Sequence, residues 1–325
     1  MSLRCGVRGT PSGSAIEQMY RVRRVDGVPE CTCVPAPKID ILLIGAGGLV
    51  GSAIRDALVG RPFVATAHER AVPGALTVDV TDGDALRALV REARPRAVIL
   101  AAAAAYVERC EQEPAATRAV NVEPARILAE EVRALAGTLV VLSSEYVFDG
   151  GLGRAYHEAD AVSPLNEYGR QKVELERIAA TAGSYLVCRT SGVFGPEAAR
   201  KNFVLSLVDT LRAGRRYAVP SDQLITPTYA PALGRAIVEL LDAGATGTVN
   251  ACGPRVLRRI EFAGEVASCF ALPQALIDPR PTAELGLAAR RPLAAGLSDG
   301  RLRALLGHGL PDPLTALDEM RRAGA

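Results

Sequence analysis

Tyr168 and Lys172, four residues apart in the stretch YGRQK, offer a phenol proton and an ammonium charge. Residues at i and i+4 share one face of a helix, so both groups can enter a single site. A free phenol, with a pKa of about 10, is a poor proton donor or acceptor near neutrality. A neighbouring ammonium favours the phenolate, and Lys172 is expected to lower the value for Tyr168. Upstream, in SSEY, Ser144 is the hydroxyl expected to hold the reacting oxygen, with Ser143 as the neighbour that could be confused with it. This set suits reduction of a carbonyl, in which a hydride reaches carbon while Tyr168 protonates oxygen.

The hydride donor has its own candidate site. GAGGLVG spaces Gly45, Gly48 and Gly51 as G-x-x-G-x-x-G, with Leu49 and Val50 between the last two. One glycine allows the tight turn, one lets the backbone approach a pyrophosphate, and one lets helix and strand pack closely. The N–H groups at the start of the following helix then face the phosphates. The next strand ends in VATAHER. There His68 and Arg70 favour the 2′-phosphate of NADPH, whereas Glu69 leaves NADH open. Asp79, in VDVTD, falls at the end of a third strand, where an adenine ring would lie.

These residues need elements to carry them. IDILLIG, PFVATA, RAVILAAAAAY, TLVVLSSEYVF and SYLVCRTSGVFG read as buried strands, and helical patterns separate them. Continuous apolar strands alternating with helices indicate a parallel sheet covered on both faces. In such sheets ligands bind at the carboxyl ends of the strands. Ser144 and the glycine turn both occupy such ends. Beyond residue 190 prolines interrupt the rhythm, and a smaller mixed α/β region is expected. Residues 1–38 lack periodicity and an apolar core, so they read as a flexible N-terminal extension or as sequence upstream of the true start, an organelle transit peptide being the weaker alternative.

Composition narrows the functional classes. The chain has 325 residues, 38 basic against 36 acidic, and only 4% aromatics with no Trp. So even a balance argues against nucleic acid or an anionic membrane as partner. No apolar run reaches the ~20 residues of a membrane span. The seven Cys include no paired C-x-x-C knuckles and the three His are far apart, so no metal site is expected. Cys110, Cys188, Cys252 and Cys269 read as small buried apolar residues in a reducing cytoplasm. Glu108, Glu111 and Glu113 read as a solvated helix start. Arg200 with Lys201, and Arg215 with Arg216, read equally as a grip on a substrate diphosphate or as surface loops.

The motifs LLIGAGGLVG, VERCEQEPAATRAVNVE, SSEYVFDG, SPLNEYGRQK, CRTSGVFG, SDQLITPTYAPALG and RRPLAAGLS run from about Ile41 to Leu302. Through them the chain resembles the extended short-chain dehydrogenase/reductases, and within them the dTDP-4-dehydrorhamnose reductase branch. The resemblance implies an α/β fold: a Rossmann doubly wound parallel sheet over residues 39–190, and a second, smaller substrate domain over 191–325, with some segments returning to the first. Ser144, Tyr168 and Lys172 fall on the family's catalytic triad. The implied NADPH contacts are Gly45, Gly48, Leu49, Val50, Gly51, His68, Arg70, Asp79, Val80, Ala102, Ala103, Tyr168 and Lys172. The implied substrate contacts are Ala105, Val107, Ser144, Glu145, Tyr146, Gly192 and Asn202. The substrate would be a dTDP-4-keto-6-deoxyhexose, and a homodimer stays open.

Four departures bear on the pocket. Gly192 stands where the family usually has Trp, Leu100–Ala105 lacks a Thr near the reactive carbonyl, Glu145 stands where Asp is usual, and Leu297 with Ser298 stands where the family has Leu-Asp. They leave two other readings: a non-catalytic cofactor-binding regulatory subunit like the methionine adenosyltransferase β subunit, which keeps the Tyr and Lys, and a ketoreductase for a non-sugar ketone.

Overall fold

The structure, a computed structural model, describes residues 39–324. The expectation for residues 1–38 lies outside the described residues. Strand β1 (Ile41–Ile44) is ILLI and buried from end to end. The glycine turn follows, then helix α1 (Leu49–Ala57) and strand β2 (Phe63–Ala67). Strand β3 (Leu76–Thr77) is short, and Asp82 caps helix α2 (Gly83–Ala93) by accepting the Ala85 N–H at 3.0 Å. Strand β4 (Ala97–Leu100) leads into helices α3 (Val107–Gln112), α4 (Pro114–Asn121) and α5 (Glu123–Ala134). Strand β5 (Thr138–Ser144), helix α6 (Glu167–Ala179) and strand β6 (Ser184–Thr190) complete this half.

The chain then breaks up as the prolines foretell. Helices α7 (Phe203–Arg212) and α8 (Ala230–Asp242) precede strand β7 (Gly247–Asn250), which rejoins the large sheet beside β6. Helix α9 (Arg259–Cys269) follows, and α10 (Gly300–Leu306) and α11 (Pro313–Arg322) end the described chain. Two-strand pairs fill the intervals: Val193–Phe194 with Thr228–Tyr229, Leu224–Ile225 with Leu257–Arg258, and Tyr217–Pro220 with Ile277–Arg280.

The seven-stranded sheet has the order β7-β6-β5-β4-β1-β2-β3, every pair parallel. All carboxyl ends therefore lie along one edge, and the order reverses beside β1. The register pairs Ile44 with Thr66 and with Leu100, and Ser144 with Thr190. Gly45, Ala101 and Gly192 thus leave the sheet on the same side. The core is aliphatic, with Phe148, Phe194 and Phe262 its largest fully buried side chains.

One strand is shorter than the sequence suggested. The run Ala97–Tyr106 reads as one buried strand, but β4 stops at Leu100. Beyond it the backbone bends across β1, and the N–H groups of Ala101 and Ala102 donate to the Ile44 carbonyl at 2.8 and 3.0 Å. Gly45, at φ +95°, presses so close that a Cβ on it would lie 2.4 Å from the Ala102 nitrogen. The alanine run serves this crossing of two backbones. Among the described residues no helix is long and apolar enough to cross a membrane.

Candidate active site

The site begins with how α6 is aimed. Asn166 caps it, accepting the Gly169 N–H at 2.9 Å, while its own amide donates to the Arg290 carbonyl at 2.7 Å. Gly169 then allows close approach, since a Cβ there would stand 2.2 Å from the Tyr146 carbonyl oxygen. The helix is thereby pressed onto the turn after β5, and Tyr168 arrives beside Ser144. The glycine of YGRQK is the residue that permits this contact.

Ser144, Tyr168 and Lys172 are all buried together, at 6%, 9% and 4% exposure. The Lys172 nitrogen lies 5.5 Å from the Tyr168 ring centre and donates to the Leu142 carbonyl at 2.9 Å. Ser144 lies beside the phenol and favours its ionised form. Tyr146 meets Tyr168 edge-on, with ring centres 5.6 Å apart. Ser143 points elsewhere. Its hydroxyl donates to Glu176 at 2.5 Å, and Glu176 grips the buried guanidinium of Arg189 at 2.8 and 2.7 Å. Ser143 therefore belongs to a structural network, and Ser144 alone faces the site.

The electrostatics differ from expectation. Burial, followed by the neighbouring Glu145, Cys110 and Tyr146, pushes the Tyr168 phenol well above its usual value. The expectation that Lys172 lowers it is not met, because desolvation dominates. The same desolvation pulls Lys172 down to about 8. Tyr168 accordingly rests as a protonated acid, beside an ammonium that is charged at neutral pH. Burial also raises the Glu145 carboxyl, against the pull of Ser144, Ser191 and the charge of Arg259. The Ser144 oxygen and Glu145 Oε2 stand 2.6 Å apart in a hydrogen bond whose donor depends on the charge of the carboxyl.

The glycine loop fits a dinucleotide. A Cβ on Gly51 would lie 2.0 Å from the Gly45 carbonyl oxygen, so that glycine is required by packing. A Cβ on Gly48 would meet nothing closer than 3.9 Å, which leaves that side of the loop open. Gly48 is the N-cap of α1, no side chain caps the helix, and its first turn holds no acid. These uncapped N–H groups suit phosphate oxygens. Leu49 and Val50 form the first turn of α1. Arg70 lies along the loop, its guanidinium 3.5 Å from the Gly47 carbonyl oxygen. His68 and Asp79 stand 3.8 Å apart at the exposed end of β2 and β3, with Val80 next to them. Asp79 also accepts both the N–H and the hydroxyl of Thr81, at 2.9 and 2.8 Å. Ala102 and Ala103 follow β4 directly against the loop.

The outer pocket residues separate into two groups. Ala105 is exposed and Val107 is the first residue of α3. Gly192 adopts φ +52°, a conformation that disfavours any side chain. Asn202 caps α7, accepting from Leu205 N–H at 3.3 Å while its amide donates to the Gly195 carbonyl at 3.0 Å. Its polar atoms are thereby engaged within the fold. The reading of Glu108 and Glu111 as solvated is overturned. Glu108 accepts from the Ala288 N–H at 2.7 Å and pairs with Arg291, and Glu111 accepts from the Glu167 N–H at 2.8 Å. Arg200 pairs with Asp209 at 2.6 Å, whereas Lys201 sits 5.7 Å over the exposed Tyr106 ring. Cys110, Cys188 and Cys252 are buried as expected, but Cys269 is only half-buried. Among the described residues no group of His, Cys, Asp or Glu could hold a metal ion.

Sequence reasoning missed three contributors. Asn121 braces the loop after β4, accepting the Ala104 N–H at 2.8 Å and donating to Gln171 at 2.8 Å. Among the described residues, Arg259 and Arg291 each keep a buried nitrogen without a protein partner, Nε and Nη1 respectively. Both charges act on Tyr146. The contact to Ala104 spans 17 positions and the others 50 to more than 100, so no local spacing announces them.

The sequence profile described as the RmlD substrate binding domain matches residues 39–323. A dTDP-4-dehydrorhamnose reductase of Burkholderia thailandensis is 30% identical over 290 residues, covering 84% of this chain and 94% of that protein. The methionine adenosyltransferase 2 subunit beta of Bos taurus is 28% identical over 282 residues, covering 84% of each. Among solved structures, a dTDP-4-dehydrorhamnose reductase of Bacillus anthracis in complex with NADP superposes with a TM-score of 0.80 at 25% identity, covering 88% of this chain and 99% of that one.

Proposed function

We propose, from the premise that this chain belongs to the RmlD substrate binding domain family, that it is an NADPH-dependent reductase of a keto group, at C4, on a dTDP-activated 6-deoxyhexose. The observation that carries this reading is the buried set of Ser144, Tyr168 and Lys172 at the carboxyl end of β5, beside an uncapped glycine loop. Residues 39–190 with β7 serve as the nucleotide-binding part, and residues 191–325 mainly as the substrate part. The enzyme acts in the cytoplasm, as a monomer or a homodimer, without nucleic acid or membrane as partner.

The dinucleotide, when bound, supplies the hydride. Gly45, Gly48, Leu49, Val50 and Gly51 hold its pyrophosphate, Arg70 with His68 the 2′-phosphate end, and Asp79 with Val80 the adenine side. Tyr168 gives its phenolic proton to the carbonyl oxygen. Its raised pKa keeps that proton in place until the oxygen becomes basic. The resulting phenolate is buried and costly, and it is stabilised by the Lys172 ammonium 5.5 Å from the ring, while the Ser144 hydroxyl orients the carbonyl oxygen. Glu145, Tyr146, Ala105, Val107, Gly192 and Asn202 line or shape the sugar side.

Mixing protein, NADPH and a dTDP-4-keto-6-deoxyhexose, and following nicotinamide absorbance, tests the reading. Turnover is expected, and Tyr168→Phe should abolish it while NADPH still binds. No turnover with any such sugar removes the substrate class, and undiminished turnover in Tyr168→Phe removes the mechanism. A second reading has a specific observation behind it. The positions that depart from the family, Gly192, Glu145 and Leu100–Ala105, bear on the expected pocket, and one relative is a methionine adenosyltransferase subunit. A stable stoichiometric complex with another enzyme, with NADPH binding but no turnover, would favour such a regulatory subunit.

A further inference from the structure

Ser144 has one proton and more than one claimant. Its oxygen lies 2.6 Å from Glu145 Oε2, accepts the Tyr146 N–H at 3.3 Å, and lies beside the Tyr168 phenol. An ionised carboxylate can only accept. If Glu145 is ionised, the Ser144 proton must lie on the Glu145 contact. Ser144 then presents only lone pairs to a substrate carbonyl, and two acceptors form no hydrogen bond. If Glu145 is neutral, its own O–H donates to Ser144, and the Ser144 proton turns to the carbonyl oxygen.

We infer that Glu145 acts as the neutral hydrogen-bond partner of Ser144, and that only in this form can Ser144 donate to the substrate carbonyl. Glu145 is thus a positioning residue acting through Ser144. The inference rests on the carbonyl-reduction reading above. No bond to carbon forms or breaks at Glu145. Its proton stays on the carboxyl, and the Ser144 proton stays on the hydroxyl while it orients the ketone.

The surroundings favour the neutral acid. Glu145 is 8% exposed in the turn after β5. It is faced by Ser144 and Tyr146 from its own segment, by Tyr168 from α6, and by Ser191 beyond β6. Its own backbone N–H, which favours the ionised form, Cys252 after β7 and Arg259 at the start of α9 face it as well. The thiol of Cys252 is held protonated by burial, so it adds no charge. Arg259 is the one cation among these groups. It forms no ion pair with Glu145, and its guanidinium lies 4.6 Å over the Phe203 ring. Desolvation therefore outweighs its pull.

Two measurements decide. The first is the pH profile of kcat/KM for wild type, Glu145→Gln and Glu145→Ala, with NADPH binding and thermal unfolding as fold controls. Wild type should lose activity about tenfold per pH unit as Glu145 ionises. The Gln amide donates to Ser144 at every pH, so that fall should vanish from its profile and leave only the fall from Lys172 at about pH 8. Glu145→Ala should lose about 100-fold across the whole range, the cost of an unoriented oxygen-binding donor. The second is the infrared stretch of a protonated carboxyl, present in wild type near neutral pH and absent in Glu145→Gln. A Gln profile that superimposes on wild type, or a carboxyl already ionised near neutrality, overturns the inference. If Tyr168→Phe turns over undiminished, the reduction reading fails instead, and the infrared band still decides whether Glu145 carries the proton.

Discussion

Lys172→Met should make the ligand-free protein lose a pH dependence that wild type possesses. The Lys172 ammonium is buried, and its pKa falls from an ordinary 10.5 to about 8 because charging it in the fold forfeits hydration. At 1.36 kcal/mol per pH unit, protonating it costs about 3 kcal/mol more in the folded than in the unfolded chain. Below pH 8 the group is charged in both states, and the fold bears the full cost. Between about pH 8 and 10.5 the unfolded chain binds more protons than the folded one, so stability rises with pH in that window. The Lys172 contribution from pH 7 to pH 9 amounts to about 1.4 kcal/mol of added stability. A methionine of similar reach fills the same space but has no proton to lose. Its lost contacts to the Leu142 carbonyl and the Tyr168 ring change the level of the curve. They do not change its slope. Urea unfolding of both proteins at pH 7 and pH 9 measures the difference between the two slopes, in which all other titrating groups cancel. Parallel profiles would refute the assignment of a depressed pKa to Lys172. A difference of opposite sign would mean that the ammonium is stabilised in the fold, and desolvation would then not be the dominant effect in this pocket.

The other expectations concern the supports of the site. Gly51→Ala should destabilise the protein by about 1–3 kcal/mol, seen in thermal unfolding, because its Cβ would lie 2.0 Å from the Gly45 oxygen. Gly48→Ala has open space and should leave stability unchanged while weakening NADPH binding in a fluorescence titration. Arg189→Met leaves Glu176 buried without its partner and should cost about 3–5 kcal/mol by urea unfolding. Arg70→Ala should raise the KM for NADPH about tenfold, roughly 1.4 kcal/mol, with the KM for NADH unmoved in the same assay.

Much of this molecule is legible because its chemistry sits on local patterns. ILLI followed by GAGGLVG specifies strand, turn and helix within a dozen residues, and the glycines answer to contacts a few positions away. Tyr168 and Lys172 share a helix face by spacing alone. What escaped depends on contacts across the sheet. The alanine run after Leu100 has the composition of a strand, but its hydrogen-bond partner is Ile44, and Gly45 bends it away. Ser144 is the hydroxyl read from SSEY, but what turns Ser143 away, pleat alternation and Arg189 46 residues later in the chain acting through Glu176, is not in that motif. The protonation of Tyr168 escaped as well, since a spacing argument sees the ammonium and cannot see the buried volume around it.

The absent tryptophan shows where these two kinds of information meet. Sequence comparison of motifs treats Gly192 as a missing indole, a subtraction from the pocket. The backbone at φ +52° makes it a commitment instead, since a bulky side chain there would be strained whatever room it had. Its added Cβ would also press to 3.3 Å on Ile225 Cδ1. Arg259 acts on Glu145 and, among the described residues, brings a buried N–H with no protein partner. With no indole at Gly192 and these polar groups buried nearby, specificity here should follow hydrogen bonding to the sugar more than stacking against it. A site built on buried polar groups rejects a ligand that leaves them unpaired more strongly than an apolar wall rejects a poor fit.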